Sequence, residues 1–369
     1  MKILHISSFR TLSNGQRLQL KSEFDAAEKL QSESITWDVL VFHTGPLVNS
    51  FERKVPLFFN GVFLRKLYSW FSILRLYKQY DVVLERRNTF DPFILIFGWF
   101  VPNRYTIHHS KEIEELKLIK KGLKGVLAST LEKISGLINS RQVLGFIGVT
   151  KEIAEYENSI NGTSLPQLFL PNGINSKEIT LAKDERGDGI NAVFMCGVFS
   201  SWHGLDLLLN DIATEIEFVH KSKLKIHLIG HLSKEQVIRI NKIDPNNNFI
   251  LVHWHLNLDE YKNILAKCDF GIGSLAMFRQ NLNEGTTLKV REYLASGVPV
   301  YSGHKDSALP DDFSYYFYDP SLSVKNMVNF GLKMHSANRE EVRGLAIPYI
   351  EKENIMKNFV HSFSIIGNS

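Results

Sequence analysis

The chain has 369 residues, 44% hydrophobic and 22% charged, with 24 Gly and 11 Pro. That composition excludes a disordered, collagen-like or disulfide-stapled chain, and at this length one core gives way to two domains. The net charge of +4 is too small to point to nucleic acid, but it is uneven: residues 1–180 carry 23 Lys and Arg against 17 Asp and Glu, and the remainder carries 20 against 22.

In chain order, short β-rich runs alternate with helical stretches. KILHIS (2–7) leads to a helix over 17–31, TWDVLVF (36–42) to 62–79, DVVLER (81–86) to 91–100, RYTIHH (104–109) to 111–137 and GFIGVT (145–150) to 151–159. After LFLPNGIN (168–175) and the polar KDERGDG (183–189) the pattern restarts, with strands AVFMCG (192–197), KIHLIG (225–230), FILVHW (249–254), DFGIGS (269–274) and PVYSG (299–303). This is the grammar of parallel sheets covered on both faces, so two doubly wound domains are expected, with a linker within 170–190. The only cysteines, Cys196 and Cys268, lie in apolar runs and read as reduced core thiols. Met1 leads directly into a strand and the longest apolar run, residues 93–101, is about half a bilayer span. The expectation is therefore a cytoplasmic chain, or one peripheral on the inner face of the cytoplasmic membrane.

The segment 269–300 holds the most chemistry. Glu284-Gly285 ends a loop, and Thr286-Thr287 can start a helix through Leu288 whose first N–H groups form an anion site suited to a diphosphate. Glu284 would stand beside that site, able to accept hydrogen bonds from sugar hydroxyls. Glu292, about two turns on, could reach a ribose diol, and Lys289 lies on nearly the same face. Alone, the two glutamates would read as a solvated helix face. Gly197 and Gly230 end strands and would serve equally as turn glycines. Ser200 and Ser201 can donate hydrogen bonds, and His203 could merely cap its helix. His231 and the Trp254-His255 pair also close strands, where core packing competes with reading a base or sugar.

The ordered set, strand, E-G, seven residues, E-Y-x-A-x-G-x-P-V, resembles the donor-site signature of retaining glycosyltransferases of family 4, with the GT-B fold. MKILHIS followed by Asn14-Gly15, Asp81-Val82-Val83 running into Glu85-Arg86, Ile107-His108-His109, Leu170 to Asn175, and Gly197 followed by His203-Gly204-Leu205-Asp206 extend the resemblance over most of the chain. It implies two Rossmann-like doubly wound domains facing a central cleft: an acceptor-side domain 1–172, with a final helical stretch from 348 packing back on it, and a donor domain 173–347. It further implies a sugar taken from a UDP- or GDP-linked donor with retention of configuration, no metal and no cofactor. Glu292 would bind ribose; Glu284 and the backbone of Gly285, Thr286, Thr287 and Leu288 the sugar and phosphates; Gly15 the diphosphate. A histidine at the end of the 104–109 strand would contact the reacting sugar, with His108 preferred over His109.

One departure stands out: the family places Arg and Lys where this chain has Val198 and His203. Lys289, the helix start and Ser200 are the replacements at hand. Lys117, Lys120, Lys121 and Lys124 fall on one stripe of the 111–137 helix, which suits an anionic membrane surface as well as an ordinary solvated face. The expected acceptor is a glycan or lipid-linked sugar in cell-surface polysaccharide synthesis, such as O-antigen or capsule. The alternative is a catalytically weak binding subunit of a glycan-assembly complex.

Overall fold

The structure, a computed structural model, describes residues 1–31, 35–89, 91–120, 122–254 and 256–366. It forms two compact units, Met1–Asn175 with the segment from Glu351 onward, and Ser176–Ile350.

Unit 1 contains strands β1 (Lys2–Ser8), β2 (Thr36–His43), β3 (Glu52–Lys54), β4 (Val82–Arg86), β5 (Arg104–His108), β6 (Gly145–Gly148) and β7 (Gln167–Phe169), and helices α1 (Asn14–Leu30), α2 (Val62–Leu76), α3 (Ile94–Phe97), α4 (Glu112–Ile119), α5 (Leu123–Asn139) and α6 (Lys151–Asn161). The sheet is parallel in the order β3-β2-β1-β4-β5-β6-β7. Both faces of β1 are buried: Leu4 and Ile6 pack with Trp70 and Ile73 of α2, while Ile3 packs in the cluster of Leu20, Ala26 and Ala27 of α1. That explains the near-continuous apolar run at the start of the chain.

Unit 2 contains β8 (Ile190–Val198), β9 (Leu224–His231), β10 (Ile250–His253), β11 (Phe270–Ile272), β12 (Val300–Ser302) and β13 (Tyr316–Tyr318), with α7 (Leu205–Thr214), α8 (Ile216–Ser222), α9 (Lys234–Ile243), α10 (Leu258–Lys267), α11 (Leu288–Ala295), α12 (Val324–Met334) and α13 (Arg339–Ile350). Its parallel sheet has the order β10-β9-β8-β11-β12-β13. The chain then returns to unit 1 as α14 (Lys352–Ile366), which packs on α1. Lys352 is buried, its Nζ 3.7 Å from Glu23 Oε2. Glu23 also contacts His5 Nδ1 at 2.6 Å and accepts from Trp37 Nε1 at 3.0 Å. Against the pull of burial, His5 and Lys352 hold its carboxyl down at about 2.

Four local features differ from the sequence expectation. β3, β7 and β13 are three-residue strands at the sheet edges that the sequence pattern did not reveal. α1 starts at Asn14, because Ser13 and Gln16 form a reciprocal capping box, so Gly15 belongs to the first helical turn rather than to a loop. The 111–137 helix is two helices, broken at Lys120 and at Gly122, whose φ is +67°. Lys117 and Lys124 therefore lie on different helices and Lys120 between them, so among the described residues these lysines form no single helical stripe; Lys121 is outside the described residues. Finally, α5 is inside out: Ala128, Ser129, Glu132, Ser135 and Asn139 face inward, while Leu123, Val126, Leu127, Leu131, Ile134 and Leu137 are exposed.

Candidate active site

In each sheet the strand order reverses once, between β1 and β4 in unit 1 and between β8 and β11 in unit 2. Open α/β sheets bind ligands beyond the carboxyl ends of the strands at such reversals. In unit 2 that edge gathers the segments carrying the sequence-derived donor residues: the Gly197–Gly204 turn after β8, Gly230 at the end of β9, and the loop from β11 into α11.

α11 begins after Thr287, which is extended (φ −76°, ψ 143°) and makes no side-chain cap. Val290 N–H turns back to the Thr287 carbonyl at 3.2 Å, so the N–H groups of Leu288 and Lys289 are the ones without a side-chain cap, and the buried Thr287 Oγ1 has no partner. Glu284 bridges in parallel to Lys305, and Gly285 N–H donates to the Lys305 carbonyl at 2.9 Å. A Cβ on Gly285 would lie 2.7 Å from His304 Cδ2 and 2.8 Å from His304 Nε2, so only glycine fits there. Arg291, fully buried, forms a bidentate ion pair with Asp306, with Nη2 to Oδ1 at 2.9 Å, and fixes α11 to the loop after β12.

Lys289 is the electrostatic centre of this edge. Its Nζ lies 3.0 Å from Cys196 Sγ and 5.1 Å from the centroid of the Phe194 ring, at the end of β8. Its charge is felt by Glu292, His203, Cys196 and His304. Burial, only partly offset by Lys289, raises the Glu292 carboxyl to about 7. Burial and then Lys289 lower His203 to about 3. His203 Nδ1 accepts from the Ser200 N–H at 2.9 Å, closing the turn, so the ring is neutral and supplies no cation in place of the absent lysine. Gly204 takes φ +75° and packs against Leu275 and Ala276. Gly230, at φ +129°, faces the Cys196 carbonyl, where a Cβ would clash. Gly197 is exposed and meets nothing within 4 Å, so packing makes no demand for glycine there. His231 and Trp254 approach edge to face at 6.4 Å; His255 is outside the described residues.

In unit 1 the two histidines separate by strand alternation. His108 is buried, with Nε2 at 3.1 Å from Thr106 Oγ1 and Nδ1 at 3.1 Å from Glu112 and 3.5 Å from Glu157. Against burial, Glu157 and Glu112 push its pKa up. Both ring nitrogens are thus engaged inside the unit, which removes the preference for His108 as the sugar-facing residue. His109 lies just past the strand end, partly exposed, and its pKa is pulled well below the ordinary value by desolvation and by Arg86, His5 and Lys352. His108, Glu112 and Glu157 also bring three ligand atoms within 4.8 Å, a group able to hold a metal ion.

Sequence reasoning missed His304. Burial lowers it to about 4; its Nδ1 lies 2.8 Å from the Ser274 carbonyl, while the buried Nε2 has no partner and borders Gly285. The only sequence signal was its place two residues beyond an apolar strand.

No family model matches the chain, and no curated protein matches it. Solved structures do. The lipopolysaccharide outer core galactosyltransferase WaaB in its apo form is 11% identical, with a TM-score of 0.63 over 98% of this chain and 99% of that one. Anabaena Alr3699/HepE in complex with UDP-glucose is 13% identical, with a TM-score of 0.60 over 99% of each chain. A Listeria monocytogenes protein described as a UDP-N-acetylglucosamine 2-epimerase is 14% identical, with a TM-score of 0.56 over 100% of this chain and 98% of its own. The chain has the fold these proteins share, two Rossmann-like domains of GT-B type; the site itself must carry the argument about activity.

Proposed function

We propose that the chain is a retaining, metal-independent glycosyltransferase that takes a sugar from a nucleotide-sugar donor. The observation that carries this reading is the gathering of a helix start, the Lys289 ammonium and the Glu292 carboxylate at the strand reversal of unit 2. The helix start and Lys289 would offset the diphosphate, and Glu292, about one turn into α11, would accept from the ribose hydroxyls. In the reaction the bond from the anomeric carbon to the diphosphate breaks, the acceptor oxygen bonds on the same face, and its proton passes to the leaving phosphate oxygen. Stabilising that leaving group is the chief task of the protein. On the acceptor side, His109 is the better placed of the two histidines.

For the acceptor, a glycan or lipid-linked sugar of a cell-surface polysaccharide fits the apolar outer face of α5, which suits a membrane surface on the cytoplasmic side. No helix among the described residues is long and apolar enough to cross a membrane. A second reading, a binding subunit that retains nucleotide recognition without turnover, is favoured by Val198 and the neutral His203.

The deciding experiment is a panel of UDP- and GDP-sugars scored for thermal stabilisation and donor cleavage, with Glu284→Ala and Glu292→Ala alongside. Stabilisation and cleavage lost in both variants supports transfer; stabilisation without cleavage selects the binding subunit; full activity in both variants overturns the site. Epimerised donor would point to the other chemistry this fold hosts.

A further inference from the structure

We infer that unit 1 binds an anionic group of its acceptor, of the phosphate-ester class, between Arg65 and Arg10 at the carboxyl edge of its sheet. This rests on the glycosyl-transfer reading for the word acceptor, but the site stands on its own geometry. α2 follows β2 and β3, so its first turn, where Arg65 sits, lies at the edge where those strands end. The loop carrying Arg10 leaves β1 at that same edge and is pinned there by bonds from the Thr44 N–H at 3.1 Å and Oγ1 at 2.7 Å to the Arg10 carbonyl.

Arg65 is only 7% exposed, and its Nε and Nη1 are buried without any hydrogen-bond partner. Other buried cations of unit 1 each have a partner for part of the head group, Lys66 in the Thr89 carbonyl, Arg87 in Glu132 at 2.6 Å and Ser135 at 2.9 Å, Arg104 in Glu85, although Arg87 Nη1 and Arg104 Nε are unpartnered too. Burial and then the like charge of Arg10 depress the Arg65 guanidinium, and no carboxylate offsets either among the described residues. Ser8, the last residue of β1, has a buried hydroxyl without a partner as well. It shares the face of Leu4 and Ile6, the face that α2 covers. A buried guanidinium beside a second arginine, with no acid, is costly unless a counter-anion completes it. A phosphate supplies that charge and accepts from several planar N–H groups at once. The site lies beside the strand reversal between β1 and β4, on the domain that the sequence marks as basic.

The test uses the full chain and calorimetric titration with inorganic phosphate, octyl phosphate and octanol, for the native protein, Arg65→Met, Arg10→Ala and, as a control for unit 2, Lys289→Met. Octyl phosphate binding should weaken at least tenfold in Arg65→Met and several-fold in Arg10→Ala, persist in Lys289→Met, and leave octanol indifferent to all three. Octyl phosphate held tenfold more tightly than inorganic phosphate assigns the group to a lipid; equal affinities assign it to a water-soluble ester. Arg65→Met should melt no lower than the native protein in phosphate-free buffer, since it replaces an unpaired buried charge. Unchanged binding in both arginine variants, no binding by the native protein, or a large fall in the melting temperature of Arg65→Met overturns the subsite. Donor cleavage is scored separately, so loss of this subsite and loss of the transfer reading are distinguishable.

Discussion

The ammonium of Lys289 rests 3.0 Å from the sulfur of Cys196. Burial raises the thiol pKa, so an uncharged thiol faces the ammonium and leaves its positive charge for another partner. Replacing Lys289 with Met should weaken binding of UDP and GDP at least tenfold, about 1.4 kcal/mol, while binding of the parent nucleosides changes little. Calorimetry on the four ligands checks this; equal losses for nucleoside and nucleotide would place Lys289 elsewhere.

Glu292 carries a pH signature. With its folded-state pKa raised to about 7 against 4.5, the folded protein holds a proton that the unfolded chain releases between those values. Stability contributed by the protonated carboxyl is complete below pH 4.5 and is lost as pH rises through about 7. Glu292→Gln should therefore melt with the native protein at pH 4 and above it at pH 8, by an amount on the order of 3 kcal/mol, while losing nucleotide affinity. Urea melts at the two pH values measure the difference.

Two glycines separate packing from ligand approach. Gly285→Ala should cost about 1–3 kcal/mol by overpacking against His304. Gly197→Ala meets open space and should leave stability unchanged, yet reduce donor affinity if the diphosphate passes over the end of β8. Thermal melts paired with nucleotide titrations distinguish the two.

His108 and His109 should part company. His108→Ala strands Glu112 and Glu157 in the interior and should destabilise by about 3–5 kcal/mol. His109→Ala should keep its melting temperature and lose about a hundredfold in kcat. The reverse pattern would return the catalytic assignment to His108.

Leu123, 89% exposed, and Leu127, 62% exposed, test the outer face of α5. Glu at both positions should abolish sedimentation with anionic liposomes at unchanged stability. Neutralising Lys117 and Lys124 should do less, because these lysines do not share a helix.

Much of this was readable in the chain because the central strands of each sheet are apolar on both faces, and the loop and helix after β11 announce themselves by Glu284 and Glu292. Where reading failed, the cause was local or long-range. Periodicity ran the 111–137 helix through Gly122 because lysines at 117, 120, 121 and 124 match an unbroken turn count. His304 and Arg65 carry no sequence sign of their isolation: within the 62–79 stretch nothing but burial shows that Arg65 has no acid.

The tie between Lys352 and Glu23 also sets a timetable. A ribosome finishes residues 1–175 long before it reaches 352, so unit 1 waits for α14 while the uninterrupted stretch 176–350 is already complete. The second unit to be made is the first that can close. A gene fragment ending at 350 would leave Glu23 without its lysine and α1 without its cover, so unit 1 is obtained alone by joining 351–369 to residues 1–175 as a circular permutant, never by truncation.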